Sequence, residues 1–485
     1  MAEMVLISAH RGDQFTGLLL LTLAWGVLAF GAVYTWAYVP LLTAAAGLGV
    51  WGLVARTEFG GRRANVTIAV GLALLAAAVA VQFVSLPRET LRALSPATDA
   101  FLQEYDLSYA VGLLTGDRVA HPLSIDVRQT WLSLAFVGGF GIFLLGLTRT
   151  LDGLKLRRLL PGLVLVGAVV AAVGIVQRPL FAGRIYGFWT PVHGPVLFTP
   201  GGGPFGPFVN RNHFAGWMLM TIPLSIGYFS ALASRGMRGA GSAWRSRLVW
   251  LSSRDANHAV LVGFAILLMT FSLILTLSRS GITCLMAAVA ISTLFAFRRH
   301  AGWSKRTIVV CFLVATTFIA VGWTGTDAIV ARFDRVDRTL DGRLFAWRDA
   351  WRVFEAFPWT GTGLNTYGTS MLLYQSFQRD TVHFAEAHSD YLQLLAEGGL
   401  LLVVPIVTLI GLFVREVRSR FREGDDDGFG YWLRLGAVTG LIAIALQEAV
   451  EFSLQMPGNA ALFVVLCAVA VRKSSVSRSQ QPADV

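Results

Sequence analysis

A histidine, two arginines and a pair of glutamates are the residues of this chain whose type and spacing point to chemistry. His388, in AHSDYLQLLAEGG (387–399), stands where a polar stretch meets a long apolar run. The positive end of a helix dipole disfavours an imidazolium, so the ring is expected to be neutral and able to take a proton from an attacking hydroxyl. Arg279 lies in TLSRSG (276–281) between two apolar runs, flanked by Ser278 and Ser280. An arginine there is costly unless it faces water, a partner or a ligand. Arg211, in FVNRNHFAGW (208–217), precedes a third apolar run; Asn210 or Asn212 can cap that helix, whose free N–H groups make an anion site. A guanidinium at such a place suits a pyrophosphate, which it grips with two parallel hydrogen bonds.

Glu448 and Glu451 are three residues apart, so they share a helical face and need partners near a membrane. Ion pairing with an outer arginine is the expected role, and direct acid–base work the second. His213 is read as lying on a helix surface, and Glu397 as a packing or positioning residue. His383, Glu386 and His388 cluster, but a five-residue offset puts the two histidines on different helix faces, so no metal site is expected.

The elements that position these groups are membrane helices. Of the 485 residues, 55% are hydrophobic and 14% charged, well below the charge content of soluble domains. Apolar runs read as membrane spans, against roughly 30 Å of hydrocarbon, fall at 15–33, 37–55, 66–86, 130–148, 159–177, 213–233, 259–277, 281–297, 307–323, 389–414, 435–454 and 458–471, the last of them short. The first, Phe15–Val33, is too long for a signal-peptide core and is expected to remain as a span. Cys284, Cys311 and Cys467 all lie in apolar runs, with neither disulfide nor metal spacing.

Most of the 40 basic residues fall in alternate connections, which places both termini in the cytoplasm and turns the net charge of +11 into a topology signal rather than a nucleic-acid one. Three sizeable loops are then outside: 87–129, the Gly/Pro-rich 178–212, and 324–388. Within the last, Leu344, Trp347, Trp351 and Phe354 form a helical stripe with Arg343, Arg348, Arg352 and Glu355 off it, as expected for an amphipathic helix lying on a membrane. The tail, 472–485, is polar and expected to be a disordered cytoplasmic segment. Arg211, Arg279, His388, Glu448 and Glu451, placed by topology alone, all arrive at the outer face of one membrane-embedded domain spanning 1–485.

NRNHFAGWM, TLSRSG, GRLFAWRDAWRVFEAFPWTGTGLNTYG and AHSDYLQLLAEGGL together resemble the O-antigen ligase and polymerase superfamily of bacterial inner-membrane glycosyltransferases. The resemblance implies an all-α polytopic membrane protein, GT-C-like, with about 12 spans and a large extracytoplasmic loop carrying amphipathic helices. It implies transfer of a glycan from undecaprenyl pyrophosphate to an acceptor hydroxyl at the periplasmic face, with no cofactor and no metal. Arg279 and Arg211 would bind the departing pyrophosphate, and His388 would be the base or position the acceptor; Asn210, Asn212, Ser278, Ser280, Glu448 and Glu451 are the expected substrate-binding neighbours. One departure stands out: Ser389 follows the histidine where the family often has asparagine. Partners would be the lipid-linked donor, a glycan, lipid A-core or protein acceptor, and the bilayer, with no nucleic acid.

Ligase, polymerase and protein O-oligosaccharyltransferase share this pattern. A transporter or flippase, the alternative from another class, would gather its ionisable residues near the bilayer midplane rather than at one surface.

Overall fold

A computed structural model describes residues 2–55, 65–191, 203–239, 254–297, 336–377, 383–422 and 428–473. In chain order the helices are α1 (Ala2–Leu28), α2 (Thr35–Val54), α3 (Val66–Val81), α4 (Arg88–Leu94), α5 (Pro96–Tyr105), α6 (Leu107–Thr115), α7 (Val127–Thr150) and α8 (Gly153–Leu180). They continue as α9 (Arg211–Gly239), α10 (Arg254–Leu275), α11 (Arg279–Phe297), α12 (Val336–Ala356), α13 (Tyr367–Tyr374), α14 (Asp390–Arg422), α15 (Gly428–Gln447) and α16 (Pro457–Ala470). Asn65, Asp106, Asp126 and Asp152 start their helices by accepting N–H groups of the first turn.

Among the described residues, seven helices are long and apolar enough to cross a membrane: α2, α7, α8, α9, α10, α14 and α15. Shorter apolar helices lie within α1, α3, α11 and α16. Every expected span except 307–323, which lies outside the described residues, coincides with one of these. Two ends are corrected: α3 stops at Val81 and α15 at Gln447, so Glu448 and Glu451 sit in the turn beyond α15. Loop 87–129 is also more ordered than its sequence indicated, with α4, α5 and α6 closed by an antiparallel pair of two-residue strands, Leu86–Pro87 and Ala120–His121.

Among the seven long apolar helices of the described residues, α9 is the most enclosed. It crosses α15 so closely that a Cβ on Gly436 would lie 2.5 Å from the carbonyl oxygen of Pro223. Small residues at such a crossing let backbones touch where lipid offers no hydrophobic drive. That contact holds the start of α9 and the turn after α15 at one end of the bundle. At the other end of α15, buried Arg434 donates to the carbonyls of Ala470, Arg420 and Arg472.

The span expected at 389–414 is not one straight helix. Gly399 breaks α14 with φ 51° and ψ −158°. The amides of Leu400 and Leu401 donate instead to Pro358 and Trp359, while the amides of Thr362 and Gly363 donate to Ala396 and Glu397. Gln82 clamps the same place, its Nε2 donating to Thr360 and Glu397. Helix groups freed by the break are thus paired with an incoming strand of chain, as buried backbone requires. The exposed apolar stripe of Leu400, Val404, Val407, Ile410 and Val414 begins only after the break.

Helix α12 buries Ala346, Asp349, Ala350 and Val353, the latter two packing with Phe357 just beyond it against α13 and α14, and leaves Leu344 and Trp351 about half exposed. The stripe is therefore divided: Leu344 and Trp351 face outward, while Trp347 turns inward and donates to the carbonyl of His388.

Gly361 has φ +63°, and a Cβ there would meet the carbonyl oxygen of Glu397 at 2.1 Å. Gly361→Ala is expected to lower stability by roughly 1–3 kcal/mol from the left-handed backbone alone, with more from the clash. The thermal midpoint in detergent checks this against Gly411→Ala, where nothing lies within 4 Å.

Candidate functional site

Five separate pieces of chain meet at the end of the bundle where α9, α11, α14 and α16 begin. Arg211 and Arg279 are each the first residue of their helix, α9 and α11, so both stand at a positive helix end. Asn210 caps α9, its Oδ1 accepting the amide of Asn212 at 2.8 Å. Asn212 bridges instead of capping. Its Oδ1 accepts from Ser278 Oγ at 2.8 Å, and its Nδ2 donates to Glu451 Oε1 at 2.6 Å. Ser280 Oγ lies 3.3 Å from Ser278 Oγ. Gln447 and Ser453 both donate to the carbonyl of Asn212, which ties the start of α9 to the turn after α15.

The arginine that meets Glu451 is Arg343 of α12, whose Nη2 donates to the same Oε1 at 2.5 Å. Burial raises the pKa of Glu451, and the charge of Arg343 with the Asn212 amide opposes that rise. Among the described residues no arginine pairs with Glu448 and no donor bonds its two buried oxygens, and the carboxyl of Asp390 lies against them. Burial first, then the charge of Asp390, pushes Glu448 well above the usual carboxylate range. Gln455 Nε2 donates to Asp390 at 2.7 Å and the Asp390 amide to the carbonyl of Glu448.

His388 precedes α14 by two residues, with Ser389 between them, and adopts φ +53°. Trp347 Nε1 donates to its carbonyl, and its ring packs edge to face on Phe452 at 5.1 Å. Burial, then the positive charge of Arg343, lowers the imidazole pKa to about 4. Neutrality was expected from the helix dipole; burial and a neighbouring guanidinium are what produce it. Glu386, hydrogen-bonded by Gln393, is pushed up to about 7, chiefly by burial.

Two readings of histidines are corrected. His213 is not on a helix surface: it is buried, with its ring on Phe452 at 4.7 Å, because α9 is covered on all sides here. His383 and His388 do not lie on a helix at all, and His383 is exposed. Glu397 is a positioning residue, accepting the amides of Asn365 and Tyr367 and the side chain of Gln393.

Twelve buried side-chain nitrogen and oxygen atoms lack a partner among the described residues, and eight belong here. They are Arg211 Nε, His213 Nε2, His388 Nδ1, Gln447 Oε1, both Glu448 oxygens, Glu451 Oε2 and Asn459 Oδ1. Each such atom costs about 1–3 kcal/mol, so their concentration at one place marks a cluster shaped for something other than stability. Arg343, Asp390, Gln393, Phe452 and Asn459 were not singled out in the sequence. Arg343 was visible only as a charge off the stripe of its helix, with nothing local to show what it reaches.

Compared with known protein families, residues 264–407 match the model described as O-antigen ligase. The match contains Arg279, Arg343 and His388; Arg211, Glu448 and Glu451 lie outside it. No curated protein matches the chain.

Asn212→Asp would set a second carboxylate 2.6 Å from Glu451 and remove a donor. It is expected to lower the thermal midpoint far more than Asn212→Ala, whose cost should be about 1–3 kcal/mol; thermal unfolding of the two purified variants tests the order.

Proposed function

We propose that this chain, whose residues 264–407 match the O-antigen ligase model, transfers a glycan from undecaprenyl pyrophosphate to an acceptor hydroxyl at the periplasmic face. The observation that carries this reading is the hydrogen-bonded chain Ser278–Asn212–Glu451–Arg343. It joins the starts of the two arginine-bearing helices to the helix whose Trp347 holds the backbone of His388.

In the proposed reaction the acceptor oxygen attacks the anomeric carbon, and the bond from that carbon to the pyrophosphate oxygen breaks. The acceptor proton passes to the neutral imidazole of His388, and the negative charge gathers on the departing diphosphate. Arg211 and Arg279 stabilise that charge from helix starts, where fixed N–H dipoles add to the guanidinium. The donor bond supplies the driving force, so neither nucleotide nor metal is called for. The polyprenyl tail would lie along the exposed apolar faces of the spans, with the glycan among the outer helices α4–α6 and α12–α13. Lipid A-core, polysaccharide and protein hydroxyls all suit this chemistry, and the outer helices would choose among them. Transport is the weaker reading, because the buried polar cluster sits at helix ends rather than halfway along them.

Arg279→Ala and His388→Ala are each expected to reduce transfer from a polyprenyl-pyrophosphate-linked glycan by about 10²-fold or more. Expression and membrane insertion should be unchanged; transfer at the wild-type rate by both variants would defeat the reading.

The pH profile gives a second test. A group whose folded pKa is lowered to about 4 stays in its basic form at every pH well above 4. The acid limb of kcat/KM, which reports the free enzyme, should therefore centre near pH 4 rather than at the ordinary histidine value of about 6.5. A limb at 6.5 would remove His388 from the role of base.

A further inference from the structure

We infer that the aromatic cluster built by the turn between α1 and α2 and by residues 185–189 is a glycan-binding platform, holding a sugar ring of the oligosaccharide beyond the reacting sugar. This rests on the transferase reading above and adds a surface besides the outer helices, from elements that the buried polar cluster does not use.

The rings come from two turns and lock together around Phe30, which is buried. Phe30 stacks on Trp189 at 5.0 Å and meets Tyr34, Trp36 and Tyr186 edge to face at 5.8, 6.0 and 5.6 Å. Two stacked pairs then carry rings outward, Trp36 on Tyr34 and Phe188 on Tyr186. Their outer members, Trp36 and Phe188, are 46% and 70% exposed. Building this takes unusual backbone: Phe30, Ala32 and Tyr186 have φ of 59°, 57° and 57°. Non-glycine residues keep such angles only where their surroundings over-determine them, and such places gather at ligand sites.

An interfacial aromatic belt is the competing account, and the polar tips of the rings argue against it. Belt residues keep an apolar body in lipid and a wet tip among the headgroups. Here three tips are spent on the protein. Tyr186 Oη donates to the carbonyl of Leu28 at 2.7 Å, Trp189 Nε1 to Tyr34 Oη at 3.2 Å, and Trp25 Nε1 to the carbonyl of Ala37 at 2.9 Å. Rings fixed in this way present a preset shape, which lowers the cost of binding a defined ligand and gains nothing from a fluid bilayer. A pyranose ring suits them. Its C–H face is the positive surface that the negative face of an aromatic ring prefers, and its hydroxyls reach the rim. There Tyr34 Oη accepts from Trp189 and, among the described residues, keeps its own proton uncommitted.

The platform adjoins the start of α9. A Cβ on Gly31 would lie 2.7 Å from the ring of Phe208. Gln177 accepts the amide of Tyr186 at 2.7 Å and donates to the carbonyl of Gly206 at 3.0 Å. Both turns are thus fastened to the segment that leads into α9. Phe208 is three residues before Arg211, a reach of no more than about 11 Å of chain. A glycan of a few rings whose first sugar reacts beside Arg211 extends that far.

Leucine at both outer rings keeps the surface apolar and removes the flat faces, so Trp36→Leu with Phe188→Leu separates a sugar platform from a lipid belt. Purified wild type, this double variant and the ring-keeping Trp36→Phe with Phe188→Tyr would be compared for thermal midpoint and KM. The donors would be polyprenyl pyrophosphates bearing one sugar or a full oligosaccharide; acceptors of short and long glycan form a separate series.

Wild type is expected to favour the long glycan, and the leucine variant to lose ~10-fold of that preference, which the ring-keeping variant retains. Loss in the donor series assigns the platform to the donor glycan, and loss in the acceptor series to the acceptor glycan. Wild type indifferent to glycan length overturns the inference, as does a leucine variant with the full preference. An equal rise in KM for short and long substrates, the mark of a lipid contact, overturns it too. If the double variant fails to fold, Phe188→Leu alone decides by the same comparison. Wild type that transfers no glycan defeats the transferase reading alone. The platform is then judged by equilibrium binding of free oligosaccharide, released by mild acid from the cell's polyprenyl-linked pool. Wild type should bind it ~10-fold tighter than the leucine variant, and equal binding overturns the inference.

Discussion

A carboxylate buried as completely as that of Glu451 has to be answered by directed N–H groups and by positive charge, and that demand organises the whole end of the bundle. Asn212 answers from the start of α9 and Arg343 from α12, both on one oxygen. Because Asn212 also accepts from Ser278, the turn into α11 is drawn to the same point. Taking away one partner of such a buried group costs far more than the pair contributes when intact. The interaction therefore specifies arrangement more than it adds stability. At crossings such as that of α9 with α15 the helices meet through small residues and apolar side chains, which are less selective of register; here the carboxylate needs its particular donors.

A second buried glutamate does the equivalent work for the histidine. Glu397 accepts the amides of Asn365 and Tyr367, fixing the turn that enters the break in α14. Through Gln393 it is tied to Glu386 and to the amide of Ala387. His388 is thus held from both sides, by Gln393 through its preceding residue and by Trp347 and Phe452 at its own carbonyl and ring. A non-glycine residue at φ +53° costs about 1–3 kcal/mol and persists only where its surroundings over-determine it. The break in α14 supplies that: a continuous helix through Gly399 would leave no groups for the 358–363 segment to pair with.

The spans were legible because twenty apolar residues in a row have few alternatives to a membrane helix, and the approximate positions of Arg211 and Arg279 followed from where those runs start. The capping role of Asn210 was also within reach, since an asparagine just before an apolar run has a local reason to be there. What could not be read were interactions between residues far apart in sequence: Arg343 with Glu451, Asp390 with Glu448, and the 358–363 segment with the break at Gly399. Nothing local to the glycines at 398 and 399 shows that a distant segment pairs there. His213 was misplaced for a related reason, because a histidine beside a polar loop reads as exposed until α9 is known to be enclosed on every side.

On the proposed function, the same positive charge serves two ends that would otherwise conflict. Guanidinium groups suited to a diphosphate also depress the basicity of a nearby imidazole, and a base with a pKa near 4 accepts a proton poorly from a sugar hydroxyl. Without donor, that depression keeps His388 neutral and available. When a diphosphate settles among the arginines, its negative charge offsets the field of Arg343, and the imidazole regains basicity while the acceptor hydroxyl is being positioned. Burial still holds the ring below the value it would have in water, so it remains unprotonated at neutral pH. On that proposal donor binding and activation of the base would be coupled through electrostatics, because α12 and the turn into α14 bring Arg343 within reach of His388.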